Sequence, residues 1–535
     1  MKKIYTTLFA LVVALSSLTA QQLRTSDATR KVATAMTFVE NFYVDKVDED
    51  QLAEDAVKSI LQTLDPHSSY LSAEELKEAN EPLEGDFDGI GISFNMMADT
   101  LYVIETVSGG PSERVGIMPG DRIVQVNDTS IAGVKMPQKA IMKRLKGKKG
   151  TIVNVKVVRR GMPELLTFKI TRDRIPITSI DAAYMVTPTI GYIRLSRFGA
   201  KTGAEFLESC KKLQGEGMVD LILDLQQNGG GYMGAAIEVS NQFLGANHLI
   251  VYTEGAHQNR QQAASDNKGI FKKGKLVVLI NESSASASEI VSGAIQDWDR
   301  GVIVGRRSFG KGLVQRPFPL PDGSEMRLTT ARYYTPTGRS IQRPYEKGNQ
   351  EAYAADFYER YNRGELQSSD SIHFPDSLKF KTLVNERTVY GGGGIMPDYF
   401  VPFDTTMYTT YRSKLIWHGA LNKTALTEVD LHRKKLLQQY PTIDSFIKGY
   451  TVPQKLLDNL IAAGEAEKIE FDEAEYKRSE ELIKSDLKSL IARDLFDNAA
   501  YFKVSNHENP VFGKGFEIIK NTTLYNSLLT KKRDD

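Results

Sequence analysis

Apolar positions change their spacing from one section of the chain to the next. Residues 21–85 carry them at helical intervals, most clearly in QLAEDAVKSILQTLDPHSSYLSAEELKEA, with a break at Asp65-Pro66. Residues 86–173, from GDFDGIGISF to ELLTFKITRDRI, hold short β-branched runs and turn signals such as MPGD. They predict a β-rich domain with one short helix at QKAIMKRL. Residues 174–404 behave differently. IGYIRLSRF, DLILDL, KLVVLIN and GVIVG are short, mostly apolar runs that alternate with the amphipathic stretches AKTGAEFLESCKKL, MGAAIEVSNQFL and SASEIVSGAIQDW. Strands buried on both faces and alternating with helices predict an α/β layer architecture. Within this section residues 345–385 are polar and tyrosine-rich, and read as an excursion or long loop. Residues 405–535 return to helical spacing, as in EAEYKRSEELIKSDLKSLIARDLF, and end in KKRDD, which reads as frayed.

At 535 residues the chain has room for about three or four domains. An apolar fraction of 41% and a charged fraction of 25% are those of an ordinary folded protein, and a net charge of +1 gives no global attraction for nucleic acid. The start, MKKIYTTLFALVVALSSLTAQQ, has two lysines and then an apolar run too short to span a bilayer comfortably. Ala20 suits the last position before cleavage, although Leu18 is bulkier than the small residue preferred there. Residues 1–20 therefore read as a secretory signal peptide, with a periplasmic destination if the source has two membranes. The single cysteine, Cys210, allows no internal disulfide and lies on an apolar helical face with Phe206 and Leu213, the pattern of a core thiol.

The chemistry concentrates where apolar runs end. In NESSASASEIVSGAIQDWDRG, from Asn281 to Gly301, hydroxyls crowd between a predicted strand and a predicted helix. Ligands commonly bind at such strand-to-helix turns, and the first N–H groups of the helix have no intrahelical partners. A serine there can attack a carbonyl while nearby N–H groups hold the oxyanion. Taken alone, however, Ser286-Ala287-Ser288-Glu289 reads as a capping box. Chemistry needs a base. Lys311 follows in GVIVGRRSFGKGLVQ, between two glycines and after a buried run; burial or nearby positive charge could keep its amine neutral. A third piece, LILDLQQNGGGYMG, places Asp224 at a strand end and Gly229–Gly231 before a helix, where the backbone could turn an N–H toward a ligand.

Together, LDPHSSYLS, GDFDGIGISF, LDLQQNGGG, NESSASASEI, GRRSFGKGLVQ, LTTARYYTPTGRSIQ and GGGGIMPD resemble, in order, the motifs of the carboxy-terminal processing peptidases, or tail-specific proteases. The resemblance covers roughly residues 30–403. It implies a crotonase-like layered α/β core with a Ser–Lys dyad, an inserted PDZ domain at 86–173 and flanking helical regions. It makes Ser286 the nucleophile and Lys311, 25 residues later, the base. Gln315 matches a glutamine that helps position the lysine. The backbone N–H groups of Ala287 and Gly230 would form the oxyanion hole, with Glu289 and Asp297 supporting the site. One position departs from the family, which usually has arginine where this chain has Gln226.

The resemblance further implies that the PDZ domain captures a substrate's free C-terminus as an added strand, with Gly89, Ile90, Gly91 and Ile92 as carboxylate-binding loop and following strand, and often gates access to the dyad. It implies protein or peptide substrates and no metal or organic cofactor. An adaptor or activating lipoprotein and a homodimer through the C-terminal helices stay open. Ten basic residues and no acidic ones lie between Gly133 and Gly161; they read as a solvated face, with attraction for anionic tails or a membrane surface as the alternative.

Two other classes fit the sequence less well. A penicillin-binding enzyme would use the SCKK at Ser209, the SDN at Ser265 and the KTG at Lys201, but here KTG comes first and Ser209 falls inside an amphipathic stretch. A non-catalytic exported PDZ scaffold would need neither Ser286 nor Lys311. No HExxH supports a metalloprotease, and His67 and His257 lie in no recognisable triad context.

Overall fold

The computed structural model describes residues 26–530, so the signal-peptide reading of residues 1–20 and the KKRDD end lie outside the described residues. The first section holds helices α1 (Asp27–Phe42) and α2 (Glu49–Gln62), a short strand β1 (Ser69–Leu71) and helix α3 (Ala73–Glu84). α3 starts at a capping box: Ser72 N–H donates to Glu75 Oε2 at 2.9 Å and Glu75 N–H to Ser72 Oγ at 3.4 Å. It stops at Gly85, whose φ of +81° is left-handed. β1 interrupts the helices after Asp65-Pro66 and pairs far away in the chain, as described below.

The β-rich section contains β2 (Asp86–Gly89), β3 (Ile92–Met97), β4 (Thr100–Thr106), α4 (Pro111–Arg114), β5 (Arg122–Val126), β6 (Thr129–Ser130), α5 (Gln138–Leu145), β7 (Ile152–Val158), β8 (Leu166–Thr171) and β9 (Asp173–Pro176). Its sheet runs β3-β4-β5-β7-β8, all antiparallel. Alternation drives it: Val153, Val155 and Val157 of β7 point into a core with Leu101, Ile123 and Ile141, while Ile152 and Asn154 are exposed. β2 pairs with β9, so the chain enters and leaves this section side by side.

The α/β section is built on β10 (Ile180–Met185), β11 (Ile190–Leu195), α6 (Thr202–Gly215), β12 (Asp220–Asp224), α7 (Met233–Asn241), β13 (Leu249–Gly255), β14 (Gln258–Ala264), β15 (Leu276–Ile280), α8 (Ala287–Asp297), β16 (Val302–Gly305), β17 (Leu313–Pro319), β18 (Glu325–Tyr334), α9 (Gln350–Asn362), β19 (Lys379–Lys381), β20 (Thr388–Tyr390) and β21 (Tyr399–Phe400). One sheet runs β10-β11-β12-β15-β16-β21, parallel except at β10. One of its faces packs with Phe206 of α6, Val239 of α7 and Ile290 of α8. A second, antiparallel sheet runs β1-β18-β13-β14, with β17 hydrogen-bonded to β18.

Helices α10 (Thr410–Trp417), α11 (Ala420–Gln439), α12 (Ile443–Gly449), α13 (Gln454–Ala466), α14 (Glu473–Leu495), α15 (Asn498–Ser505), α16 (Pro510–Lys520) and α17 (Thr522–Thr530) follow. Phe446, Leu457, Ile483 and Leu487 belong to a core of their own. The last two helices return to the parallel sheet. Val511, Phe512, Ile518, Ile519 and Tyr525 cover Tyr192, Ile222, Val277 and Leu279 on its other face, which is why those strands are apolar throughout. Among the described residues no helix is long and apolar enough to cross a membrane.

The predicted loop at 345–385 is corrected by α9. Its inward face is made of Tyr353 and Arg360, with Arg343 stacked between Phe309 and Tyr353 at 4.0 and 3.8 Å from the ring centroids. A helix buried through aromatic and guanidinium groups leaves no aliphatic periodicity to read. Cys210 is fully buried in the core, and burial pushes its thiol up to about 12.

Candidate active site

The serine cluster sorts itself by backbone. Ser284 and Ser288 are fully buried, and their hydroxyls donate to the carbonyls of Leu225 and Asn228, both at 2.8 Å. These bonds pin the turn after β15 to the loop after β12. Ser286 between them has φ 55° and ψ −112° and is only partly buried. A non-glycine residue held there costs about 1–3 kcal/mol and persists only where its surroundings impose it. The strained strand-to-helix turn that presents a nucleophilic serine has this character. From the second sheet, the Tyr333 hydroxyl donates to the Ser286 carbonyl at 3.1 Å.

Glu289 does more than cap the helix. Its fully buried carboxylate accepts from Ser286 N–H at 2.8 Å and Lys311 N–H at 2.9 Å on Oε2. On Oε1 it accepts from Gly310 N–H at 2.7 Å and the Ser308 hydroxyl at 2.5 Å. One carboxylate oxygen thus holds the backbones of Ser286 and Lys311 together. Burial raises the Glu289 carboxyl to about 7, and the four donors oppose that rise. Phe309 N–H, bonded to the Ser284 carbonyl at 3.0 Å, adds a second link between the loops.

Lys311 sits between β16 and β17, partly buried. Burial lowers its amine below the ordinary 10.5, and Arg327 lowers it further, while Glu289 and Asp65 act against them. Among the described residues no hydrogen bond joins the Ser286 and Lys311 side chains. Gln315 lies on β17, and its Nε2 donates to Thr329 Oγ1 at 3.0 Å.

The glycine run packs directly on the serine turn. A Cβ on Gly230, whose φ is +101°, would lie 2.8 Å from Ser286 Cβ and from the Ala285 carbonyl, and 3.0 Å from Ala287 N. The N–H of Ala287 carries no hydrogen bond among the described residues, as befits the first residue of a helix. That of Gly230 is engaged, donating to Asn228 Oδ1 at 2.9 Å. Asn228 is the joint that sequence reasoning missed. It is fully buried, donates to the Leu195 carbonyl, and accepts from Ala285 N–H and Ser288 Oγ on its own carbonyl. Arg194 was missed too. From β11 it donates to Asp224 Oδ2 at 2.7 Å and to the Gln226 carbonyl at 2.9 Å, while Gln226 stays bonded to Asp224 Oδ1. A guanidinium from the neighbouring strand therefore orders the start of the loop that carries Gln226. An arginine inside the apolar run IGYIRL was the available signal.

Asp297 lies at the other end of α8, roughly 15 Å along the helix from Ser286. It pairs with Arg339 at 2.7 Å, both side chains fully buried, and accepts from Thr337 N–H and Oγ1. The segment that Thr337 begins leads on to Gln342, whose Oε1 accepts Gly312 N–H beside Lys311.

Gly89, Ile90, Gly91 and Ile92 form the turn from β2 into β3. Ile90 and Gly91 turn their carbonyls to Ser112 and Val107, and their N–H groups carry no hydrogen bond among the described residues. An apolar groove of about 670 Å³ opens between β3 and α5, lined by Ile90, Ile92, Phe94, Met142 and Leu145. α3 runs along its rim. Lys139 and Lys143 of α5 pair with Glu78 and Glu74 at 2.8 and 3.2 Å, and Lys146 pairs with Glu81. The basic run is therefore partly a docking face: Lys149, Arg159 and Arg160 also meet carboxylates, those of Asp173, Asp121 and Asp430.

The penicillin-binding pieces have other uses. Lys201 donates to Asp86 at 2.7 Å, Ser265 Oγ bonds the Gly245 carbonyl, and Ser209 is inside α6.

Residues 189–348 match peptidase family S41 and residues 89–170 the PDZ domain. The carboxy-terminal-processing protease of Bartonella bacilliformis is 38% identical over 305 residues, covering 56% of this chain and 69% of that protein. This chain belongs to the carboxy-terminal processing proteases of family S41. Within that family, the carboxy-terminal processing protease CtpB of Bacillus subtilis is 32% identical over 346 residues, 64% of this chain and 71% of its own. Residues 11–75 match the N-terminal domain of the activating protease CtpB, and residues 411–497 a family of unknown function, DUF8443. Among solved structures, the photosystem II D1 C-terminal processing protease aligns at 28% identity over 59% of this chain and 91% of that chain, with a TM-score of 0.34. The protein is thus a serine peptidase of the carboxy-terminal processing type, with a PDZ domain in front of its catalytic section.

Proposed function

We propose that this protease is an exported endopeptidase that cuts proteins selected by their free C-terminus, using a Ser286–Lys311 dyad and an acyl-enzyme. The observation that carries the reading is the Glu289 carboxylate, which ties Ser286 N–H and Lys311 N–H to one oxygen beside a strained nucleophile turn. Ser286 Oγ attacks the scissile carbonyl. Lys311, its amine favoured by burial, takes the serine proton and passes it to the leaving amine. The free Ala287 N–H at the start of α8 receives the oxyanion, and a glycine-run N–H joins it, that of Gly230 once Asn228 yields. Water then releases the acyl group.

The N–H groups of Ile90 and Gly91 hold the substrate's terminal carboxylate, and the groove between β3 and α5 takes its last apolar side chain. Export rests on the signal-like start, and a periplasmic site follows if the source has two membranes.

The test is mass spectrometry of a loosely folded protein with an apolar free C-terminus, incubated with the mature chain, with Ser286→Ala, and in C-terminally amidated form. Cutting by wild type, none by a folded Ser286→Ala, and slower cutting of the amide support the reading. Tail binding without cutting by wild type would leave a PDZ scaffold.

A further inference from the structure

The segment LDPHSS, which reads from sequence as a break between helices, reaches the active site. β1 pairs with β18, Ser69 opposite Arg327, and this brings residues 65–68 against the β17–β18 hairpin. Asp65 is 5% exposed and accepts four hydrogen bonds. Three close its own turn: from His67 N–H at 2.8 Å, Ser68 N–H at 2.9 Å and Ser68 Oγ at 2.5 Å. The Ser68 hydroxyl, its proton given to Asp65, accepts Thr329 N–H at 3.0 Å.

The fourth bond crosses 264 residues of sequence: Thr329 Oγ1 donates to Asp65 Oδ1 at 2.9 Å. A hydroxyl has one proton. With that proton on Asp65, Thr329 Oγ1 can only accept from Gln315, whose amide must therefore present Nε2, at 3.0 Å. The orientation of the Gln315 amide is thereby set, and its Oε1 accepts no hydrogen bond among the described residues. Gln315 lies opposite Thr329 in the hairpin and four residues after Lys311.

We infer that Asp65 is a positioning residue of the dyad: through Thr329 it fixes the Gln315 amide with Oε1 left for the Lys311 ammonium, and its own carboxylate is a counter-charge to that ammonium. The inference rests on Lys311 being the base. The charged or titratable groups that face Lys311 are Glu289, Asp65, Arg327 and His67. His67 Nε2 lies 2.9 Å from the Tyr353 hydroxyl, and burial holds its ring down to about 4, so above that pH it is neutral. Asp65 is the one carboxylate among them that comes from outside the catalytic section.

The experiment is the pH profile of kcat and kcat/KM on a fluorogenic peptide for wild type, Asp65→Asn, Thr329→Val and Thr329→Ser, with Ser286→Ala as the blank. Removing the Asp65 charge favours the neutral amine. The acid limb of Asp65→Asn is expected to move to lower pH by on the order of 0.5–1 pH unit. The plateau of kcat should fall about tenfold in Asp65→Asn and Thr329→Val, and Thr329→Ser should restore it. An acid limb that stays in place in Asp65→Asn, or Thr329→Val and Thr329→Ser behaving alike, overturns the inference. The Thr329 pair decides the matter if Asp65→Asn does not fold. A wild type with no acid limb overturns the lysine-base reading and this inference with it; a limb that is present but unmoved overturns the inference alone.

Discussion

Replacing Glu289 by glutamine separates two things its carboxylate does. A carboxyl that titrates near 7 in the folded protein and near 4.5 unfolded leaves the folded state holding a proton the unfolded state has released. The contribution of Glu289 to stability therefore falls as pH rises from about 4.5 to about 7, by about 3 kcal/mol, and is level on either side. Glutamine does not titrate, so the variant loses this slope, and its stability relative to wild type should rise by about 3 kcal/mol across the window. Activity should move the other way. Two of the four donors face each carboxylate oxygen, and an amide has one oxygen. Its nitrogen is best placed beside Ser308, whose hydroxyl can turn to accept, but Gly310 N–H is then orphaned at a cost of about 1–3 kcal/mol. The lysine loop shifts, and a displacement of about 1 Å costs up to about a hundredfold in rate. The chain has two tryptophans. Trp298 follows α8, packs on the core and donates to the Leu249 carbonyl, whereas Trp417 is 85% exposed. In a Trp417→Phe background, Trp298 fluorescence during urea unfolding reports the catalytic section alone. Stability curves for the two proteins that run parallel from pH 4.5 to pH 8 would refute the reasoning.

Gly230→Ala puts a methyl 2.8 Å from Ser286 Cβ at a φ of +101°, so labelling of Ser286 by a fluorophosphonate should slow by about a hundredfold; labelling at the wild-type rate would clear Gly230 of any part in the turn. Arg339→Met leaves Asp297 buried without its partner and should destabilise the catalytic section by about 3–5 kcal/mol in the same fluorescence assay, and an unchanged midpoint would count against a buried pair. Neutralising Glu74, Glu78 and Glu81 together by glutamine frees three lysines at the groove rim. Carboxylate-terminated peptides should then bind more tightly at low salt by fluorescence anisotropy, with the gain gone near 1 M salt; a gain that survives high salt would mean that α3 acts by shape.

Several features were legible from local pattern. The alternation in β7, the apolar runs of β12 and β15, the start of α8 at Ala287 and the burial of Cys210 all follow from residues within one element. α9 was hidden because its inward face is aromatic and charged. The role of Glu289 was half visible: a capping box shows its reach to Ser286 but says nothing of Lys311, 22 residues on. Asn228 and Arg194 looked like ordinary loop and strand residues, since their partners come from neighbouring strands and turns.

By itself the sequence determined many of the elements, though not β1 or α9, their order and which short stretches carry hydroxyl, amine and glycine, because each depends on neighbours a few positions apart. Only the tertiary structure decided that α16 and α17 close the far face of the sheet, that α3 lies on the PDZ groove and that Asp65 reaches Thr329. Those contacts join residues far apart in the chain. They form because paired strands must satisfy their backbone and buried carboxylates must find donors, wherever in the sequence the donors lie.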